Sequence, residues 1–350
     1  MAARAQPVSA ASAAGLGAAG TLAALTLVPL AALAGVAGGF GGLGPGDWSA
    51  LRFTVLQAAL SACASVALAI PVARALARRR FPGHGALVTL MGAPFLLPVI
   101  VAVQALVAVF GRAGLVNDGL GALGLPPIDI YGLGGVVLAH VFLNLPLAVR
   151  LLLGGWQRIP AERLRLAAAL GFGRREMWRH FEAPLLREVV PGALAVVFLI
   201  CCTSFAVALI LGGGPRATTL ELAIYQAFRF DFDLARAATL GLLQMALCAV
   251  GGLIVQWVAL PRALGATLDR RRPAWPGLTR PAALLDALSI FLAAAFLVIP
   301  LSLVALRGVG ALWSLPPSVW EAAGRSFLLA MASALLAVAM SLALAALAGR

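Results

Sequence analysis

The chain contains no lysine; all 26 of its basic residues are arginine. A phosphate-binding P-loop needs a lysine behind its glycine run, so ATP is not held by such a loop in this chain. Charge of either sign is scarce. Charged residues make up 11 % of the 350 positions, against roughly 25 % in an average soluble domain. Mean hydropathy is +1.00. Together these values exclude a soluble globular enzyme, a disordered chain and a fibrous protein. Cysteine is also sparse. Cys63, Cys201, Cys202 and Cys248 all fall inside apolar runs. None has metal-ligand or disulfide spacing, and they read as small buried packing residues. No apolar run carries an Asp or Glu pair near its middle, which argues against a proton-coupled carrier. No His/Asp/Glu cluster gathers at a run's edge, which argues against a membrane enzyme acting on lipid.

What the sequence has in abundance is long uncharged stretches. Residues 5–46, 53–73, 81–111, 130–149, 189–215, 237–261, 287–306 and 326–349 contain no Asp, Glu or Arg. A hydrocarbon core about 30 Å thick is crossed by roughly 20 apolar helical residues. The fold class is therefore all-α: a polytopic transmembrane helical bundle of about eight spans. These are expected near 16–40, 54–74, 86–111, 131–153, 189–211, 237–259, 283–306 and 326–348. A membrane β-barrel is excluded, because its strands are about 10 residues long and alternate in polarity. The first run exceeds the 7–15 residues of a signal-peptide core, so it is expected to stay as a first span.

The arginines set the orientation. With a cytoplasmic N-terminus, 19 arginines face inside and 7 outside, and positive residues are retained on the cytoplasmic side. The acidic residues divide almost evenly, so the net charge of +13 resides on the inner face. Attraction to anionic membrane lipid accounts for that charge, and no nucleic-acid partner is implied.

The chain matches itself weakly at an offset of 272 residues. Leu56, Ala58, Ser61, Ala62, Val66, Ala67 and Arg78 fall on Leu328, Ala330, Ser333, Ala334, Val338, Ala339 and Arg350. Upstream, Val28-Pro29-Leu30 resembles Ile299-Pro300-Leu301. Internal repeats are common in transporters. The expected organisation is a first span (1–45), a first core half (46–262), a basic linker (263–282) and the start of a second half (283–350), which would stop two spans in.

Loop 154–188 is the longest inside loop. Pro160 can open a helix, Glu162–Leu170 is a helix-forming run, and Gly171 can close it with a left-handed cap. A second short helix from Arg174 to Phe181 is expected to end at Pro184. From the residues alone, the hairpin fits either a rigid docking knob or an interfacial amphipathic hairpin. Its spacing resembles the cytoplasmic motif of binding-protein-dependent ABC importer permeases: Glu-Ala-Ala, three residues, Gly, nine residues, Ile, one residue, Leu-Pro. Gly171 and Pro184 keep the spacing, and Ala167 fits the second alanine. Phe181 takes the isoleucine slot and Ala183 the leucine slot. Arg165 stands where the glutamate belongs and Leu166 replaces the first alanine, so that glutamate's ion-pair role does not carry over. Glu162, one turn earlier, is the nearest acid. The resemblance implies contact with a cytoplasmic ATP-binding subunit dimer through Glu162, Arg165, Ala167, Gly171, Phe181 and Pro184.

A second resemblance lies on the outer side. Leu211–Gln226 and Asp231–Gln244 look like the thiamine-importer permeases, within the two-half group that also serves ferric iron. It covers residues 50–260 well and implies a type I ABC importer fold in the inner membrane. It also implies a cargo of thiamine or its phosphates, a periplasmic binding protein that delivers it, and no catalytic residue, metal or cofactor in this chain. A ferric iron permease is the nearest alternative; a secondary carrier or channel is the alternative of another class. The residues are compatible with this resemblance. Gly212–Pro215 cannot continue a helix, Thr218 can cap a new one with Glu221 completing a capping box, and 219–229 puts Leu220, Ala223, Ile224 and Ala227 on one face. Candidate path residues are Ser204, Arg216, Tyr225, Gln226, Arg229 and Gln244. Gln57, Gln104, Asn144, Thr203, Gln256 and His140 are further polar groups within spans, expected mainly in interhelical hydrogen bonds.

Overall fold

The computed structural model describes residues 10–37, 42–92, 97–212, 214, 217–258, 275 and 279–348. Among these residues all regular structure is helical, and eight helical segments are long and apolar enough to cross a membrane. Two compact units divide the chain, residues 1–38 with 307–350 and residues 39–306.

In the first unit α1 (Ala10–Val36) packs along the C-terminal helix α14 (Pro317–Ala348). A Cβ on Gly15 would lie 2.6 Å from the Leu347 Cβ, so only glycine permits this approach. Helix α14 begins at Pro317 and α2, in the other unit, begins at Pro45, in register with the 272-residue offset of the sequence repeat.

The second unit is built on α2 (Pro45–Arg78), α6 (Leu133–Gln157) and α9 (Ala183–Cys202). Ala58, Ser61, Ala62, Ser65, Ala69 and Ala73 form a buried small-residue stripe on α2. Such stripes let membrane helices approach closely where lipid gives no hydrophobic drive between them. Phe142, Val149 and Leu152 of α6 and Val197 of α9 fill the core against it. Around this core lie α3 (His84–Leu90), α4 (Val99–Phe110), α5 (Leu115–Ala122), α7 (Ala161–Ala169), α8 (Arg174–Met177), α10 (Phe205–Leu211), α11 (Leu220–Arg229), α12 (Leu234–Val258) and α13 (Arg280–Ala311).

Four sequence expectations change. The span 86–111 is not one helix, because α3 ends at Leu90 and α4 starts at Val99. Pro98, the N-cap of α4, has no N–H to donate to a helix ladder. The span 189–211 is likewise interrupted, at Thr203 and Ser204. Pro184 does not end the second hairpin helix. A π-helical turn, Trp178–Glu182, joins α8 to α9 without a break, and Pro184 sits in the first turn of α9. A proline removes one ladder hydrogen bond without having to end the helix, and α9 runs on through Pro184 and through Pro191. The cap of α11 is Thr219, one residue beyond Thr218. Of the expected linker, only Trp275 and residues 279–282 are among those described.

Candidate functional site: a broken helix and a cytoplasmic hairpin

Helix α9 stops at Cys202 and α10 starts at Phe205. An α-helix leaves its last four carbonyls without partners, and in hydrocarbon an unsatisfied backbone group costs several kcal/mol. All four of these carbonyls are met. The Thr203 N–H donates to Ile200 at 3.3 Å, and its hydroxyl, with a single proton, lies 3.4 Å from the Leu199 carbonyl and 3.2 Å from that of Ile200. Gln57 of α2 donates its Nε2 to the Cys201 carbonyl at 2.9 Å. Gln244 of α12 donates its Nε2 to the Cys202 carbonyl at 2.9 Å. Two further polar contacts sit beside them. Asn144 Nδ2 donates to Cys201 Sγ at 3.4 Å, and Ser61 Oγ shares a hydrogen bond with His140 Nδ1 at 3.1 Å. The carbonyls at the break are thus met by Thr203 itself and by side chains from two neighbouring helices, α2 and α12.

The far side of the break belongs to α11. Its N-cap Thr219 accepts the Leu222 N–H at 3.4 Å, and Thr54 of α2 accepts the Leu220 N–H at 2.8 Å. Glu221 does not close a capping box. Its carboxylate reaches across to the N–H of Phe205, the first residue of α10, and burial outweighs that bond and raises its pKa above the usual carboxylate range. Desolvation disfavours the charged form, which explains the direction. The Tyr225 ring lies 5.2 Å from Phe205 and 5.8 Å from Phe230. Arg236 bridges Asp47 at 2.8 Å and Asp231 at 3.1 Å, which ties the α11–α12 turn to the start of α2. That turn holds Phe232 at φ 53, a left-handed conformation unusual for an aromatic residue. Phe228, Phe230 and Phe232 stand exposed around it.

The structure therefore gathers Ser204, Tyr225 and Gln244 around one helix break. Gln226 and Arg229 lie exposed on α11, outside the bonds that hold the break. Arg216 lies outside the described residues. Gln104 and Gln256 are exposed on their helices. Glu221 as a partner of α10 was not legible, because only the fold brings positions 205 and 221 together.

At the opposite end of α2 lies the hairpin. Helix α7 ends in a Schellman cap: the Phe172 N–H donates to Ala167 at 2.9 Å and the Gly171 N–H donates to Ala168 at 3.1 Å. Gly171 has φ 69, the left-handed cap that its sequence position suggests. Ala167 is buried, whereas Glu162 and Arg165 face outward. Phe181 lies within the π turn, its ring 6.4 Å from Phe172. Leu166 and Leu170 are 60 % and 63 % exposed, an apolar pair beside the outward charges. The sequence reading met Leu166 only as a departure from the motif and gave neither leucine a contact role.

An ion network anchors this hairpin. Glu182, fully buried in the π turn, meets Arg74 at 2.6 Å and Arg78 at 3.2 Å. Asp286 of α13 meets Arg79 at 2.9 Å and Arg78 at 3.8 Å. Arg74 also lies over the Trp178 ring at 5.4 Å. Arg74 and Arg78, one turn apart at the end of an apolar run, were the available signal for this network.

No protein-family model matches the chain. Among curated proteins it is 43 % identical over 304 residues to the thiamine transport system permease protein ThiP of Brucella abortus, covering 85 % of this chain and 56 % of that protein. It is 33 % identical over 210 residues to the molybdenum transport system permease protein ModB of Mycobacterium bovis, covering 59 % of this chain and 79 % of that one. Its fold matches a bacterial ABC transporter involved in importing the acidic polysaccharide alginate, with TM-score 0.51 and 15 % identity, over 62 % of this chain and 79 % of the other. The chain belongs to the ABC importer permeases. It is a multi-pass membrane protein, and it spans about half the length of the thiamine permeases it matches. In this permease Gln57 and Gln244 of the spans cap a broken helix. Its hairpin continues into α9 through the π turn.

Proposed function

We propose that the chain forms the translocation path of an ATP-driven importer for thiamine or its phosphates in the bacterial inner membrane. The observation that carries this reading is the 43 % identity to a thiamine transport permease over 85 % of the chain. The N-terminus and the hairpin 154–188 lie on the cytoplasmic side, in keeping with the arginine distribution. There a pair of ATPase subunits docks on the hairpin, with Leu166 and Leu170 as its apolar contact and Glu162 and Arg165 beside them. ATP hydrolysis belongs to those subunits. A periplasmic binding protein presents the cargo at the α11 face.

The geometry around the break suits such cargo. Thiamine is a cation with aromatic rings. Glu221 and Tyr225, one turn apart on α11, place a carboxylate beside an aromatic cluster at the helix break. Cation–π contacts contribute about 0.5–2 kcal/mol each, enough for a transit site and too little for high-affinity capture. Capture therefore falls to the binding protein. Residues 46–262 act as the first permease core, and α13–α14 repeat the design of α1–α2.

The test is uptake of labelled thiamine by a thiamine-requiring cell in which this gene is disrupted. Loss of high-affinity thiamine uptake, with ferric iron and molybdate uptake normal, is the expected result. Normal thiamine uptake with ferric iron uptake lost would overturn the cargo assignment.

A further inference from the structure

Three adjacent cavities along α2 share lining residues and together outline one amphipathic cleft. The first, about 490 Å³, is lined by apolar side chains of α2, α6 and α13, including Leu68, Val141, Leu292 and Phe296. The second, about 220 Å³, shares Pro71 and Ser289 with the first and adds Arg74, Arg78 and Arg174. The third, about 480 Å³, shares Arg74 and Arg174 with the second and adds Arg175 and Trp178. All lie within the unit 39–306. The cleft thus runs from an interhelical apolar groove to an arginine-lined mouth over less than two turns of α2, from Leu68 to Arg74.

The charges at the mouth do not cancel. Arg74, Arg78 and Arg79 face Glu182 and Asp286, and Arg174 and Arg175 add two more guanidiniums on the exposed start of α8. Five positive groups stand against two carboxylates, an excess of three. Trp178 at the same rim is the kind of amphipathic ring found at headgroup depth. Leu68 and Leu292, at the apolar end, are 53 % and 56 % exposed, so that end opens on the side of the bundle.

We infer that this cleft is a binding site for one anionic phospholipid, its phosphate held by Arg74, Arg174 and Arg175 and an acyl chain lying in the groove between α2, α6 and α13. A soluble anion would satisfy the mouth alone and leave the groove unfilled. A neutral lipid would fill the groove and leave the excess positive charge unmatched. Basic pockets between helices at the cytoplasmic surface recognise anionic headgroups by the same chemistry. The inference stands apart from the cargo assignment, since it uses none of the residues at the helix break.

The test is native mass spectrometry of the purified chain titrated with palmitoyl-oleoyl phosphatidylglycerol, with phosphatidylcholine of the same chains, and with glycerol 3-phosphate. One phosphatidylglycerol per chain is expected, retained at least roughly fivefold better than phosphatidylcholine. Glycerol 3-phosphate should not displace it at equal concentration. Retention should fall at least fivefold in R174Q/R175Q, which changes exposed residues only, and also in Leu292→Trp, which narrows the groove. A preference below fivefold would overturn the site, and so would displacement by glycerol 3-phosphate, which would mark an anion site without a lipid. Unchanged retention in either variant would overturn it equally.

Discussion

Gln57 donates its side-chain amide to the Cys201 carbonyl at 2.9 Å, across 144 residues of sequence. With Gln244 on Cys202, it converts a helix interruption from a defect into a fixed feature. Backbone that departs from a regular helix survives in a membrane only when its polar groups are satisfied by neighbouring protein or line a water-filled cavity.

Replacing Gln57 by Leu removes that donor and leaves the Cys201 carbonyl buried without it. A destabilisation of about 1–3 kcal/mol is expected, read as a lower unfolding temperature in detergent. Gln244→Leu should act in the same direction. Gln256→Leu, on an exposed face, should leave the transition unmoved. Equal transitions for all three would contradict the capping role.

Gly171 has φ 69 and open space where a Cβ would stand. A substitution there meets backbone strain and no clash, about 1–2 kcal/mol. Gly171→Asp also adds a charge to the hairpin tip. The variant should insert normally but lose transport and cargo-stimulated ATP hydrolysis in the assembled importer. Full activity would remove the hairpin from the coupling route.

Glu182 is enclosed between Arg74 and Arg78. Breaking a buried ion pair from one side typically costs about 3–5 kcal/mol, because the other charge stays buried. Glu182→Gln should therefore loosen the junction between α2 and the hairpin. Faster hydrogen exchange across 161–182 is the readout, and unchanged exchange would show that the network does not anchor the hairpin.

Glu221 carries a pH signature. Its pKa is raised in the folded protein, chiefly by burial. The folded state then binds the proton more tightly than the unfolded chain does. Stability falls as pH rises from the ordinary glutamate range to the raised value, and the contribution is full below that window. Glu221→Gln keeps an acceptor for the Phe205 N–H and has no charge to desolvate. Its unfolding temperature should vary less with pH over that window than the wild type's, while thiamine uptake at neutral pH falls. An unchanged pH profile would contradict the burial of an ionisable carboxyl at the break.

Much of this architecture was legible from single-residue patterns. Charge-free runs located the spans, because hydrocarbon excludes charge regardless of context. Gly171 was legible because its left-handed cap depends only on its immediate neighbours. The break at Thr203 was hidden. Cys201-Cys202-Thr203-Ser204 contains no proline or glycine, and the interruption is sustained by Gln57 and Gln244, which no local pattern ties to it. Pro184 misled for a related reason: it follows directly on a π turn, and α9 runs on through it and through Pro191. Glu182 was passed over because its arginine partners lie about a hundred positions away.

The most direct measurement is ATP hydrolysis and labelled thiamine flux in proteoliposomes containing the permease with its ATPase and binding protein. Flux should require ATP and the ATPase, and hydrolysis should rise with thiamine-loaded binding protein but not with an iron-loaded one. Thiamine flux through the permease without the ATPase would contradict the importer reading and point to a carrier or channel.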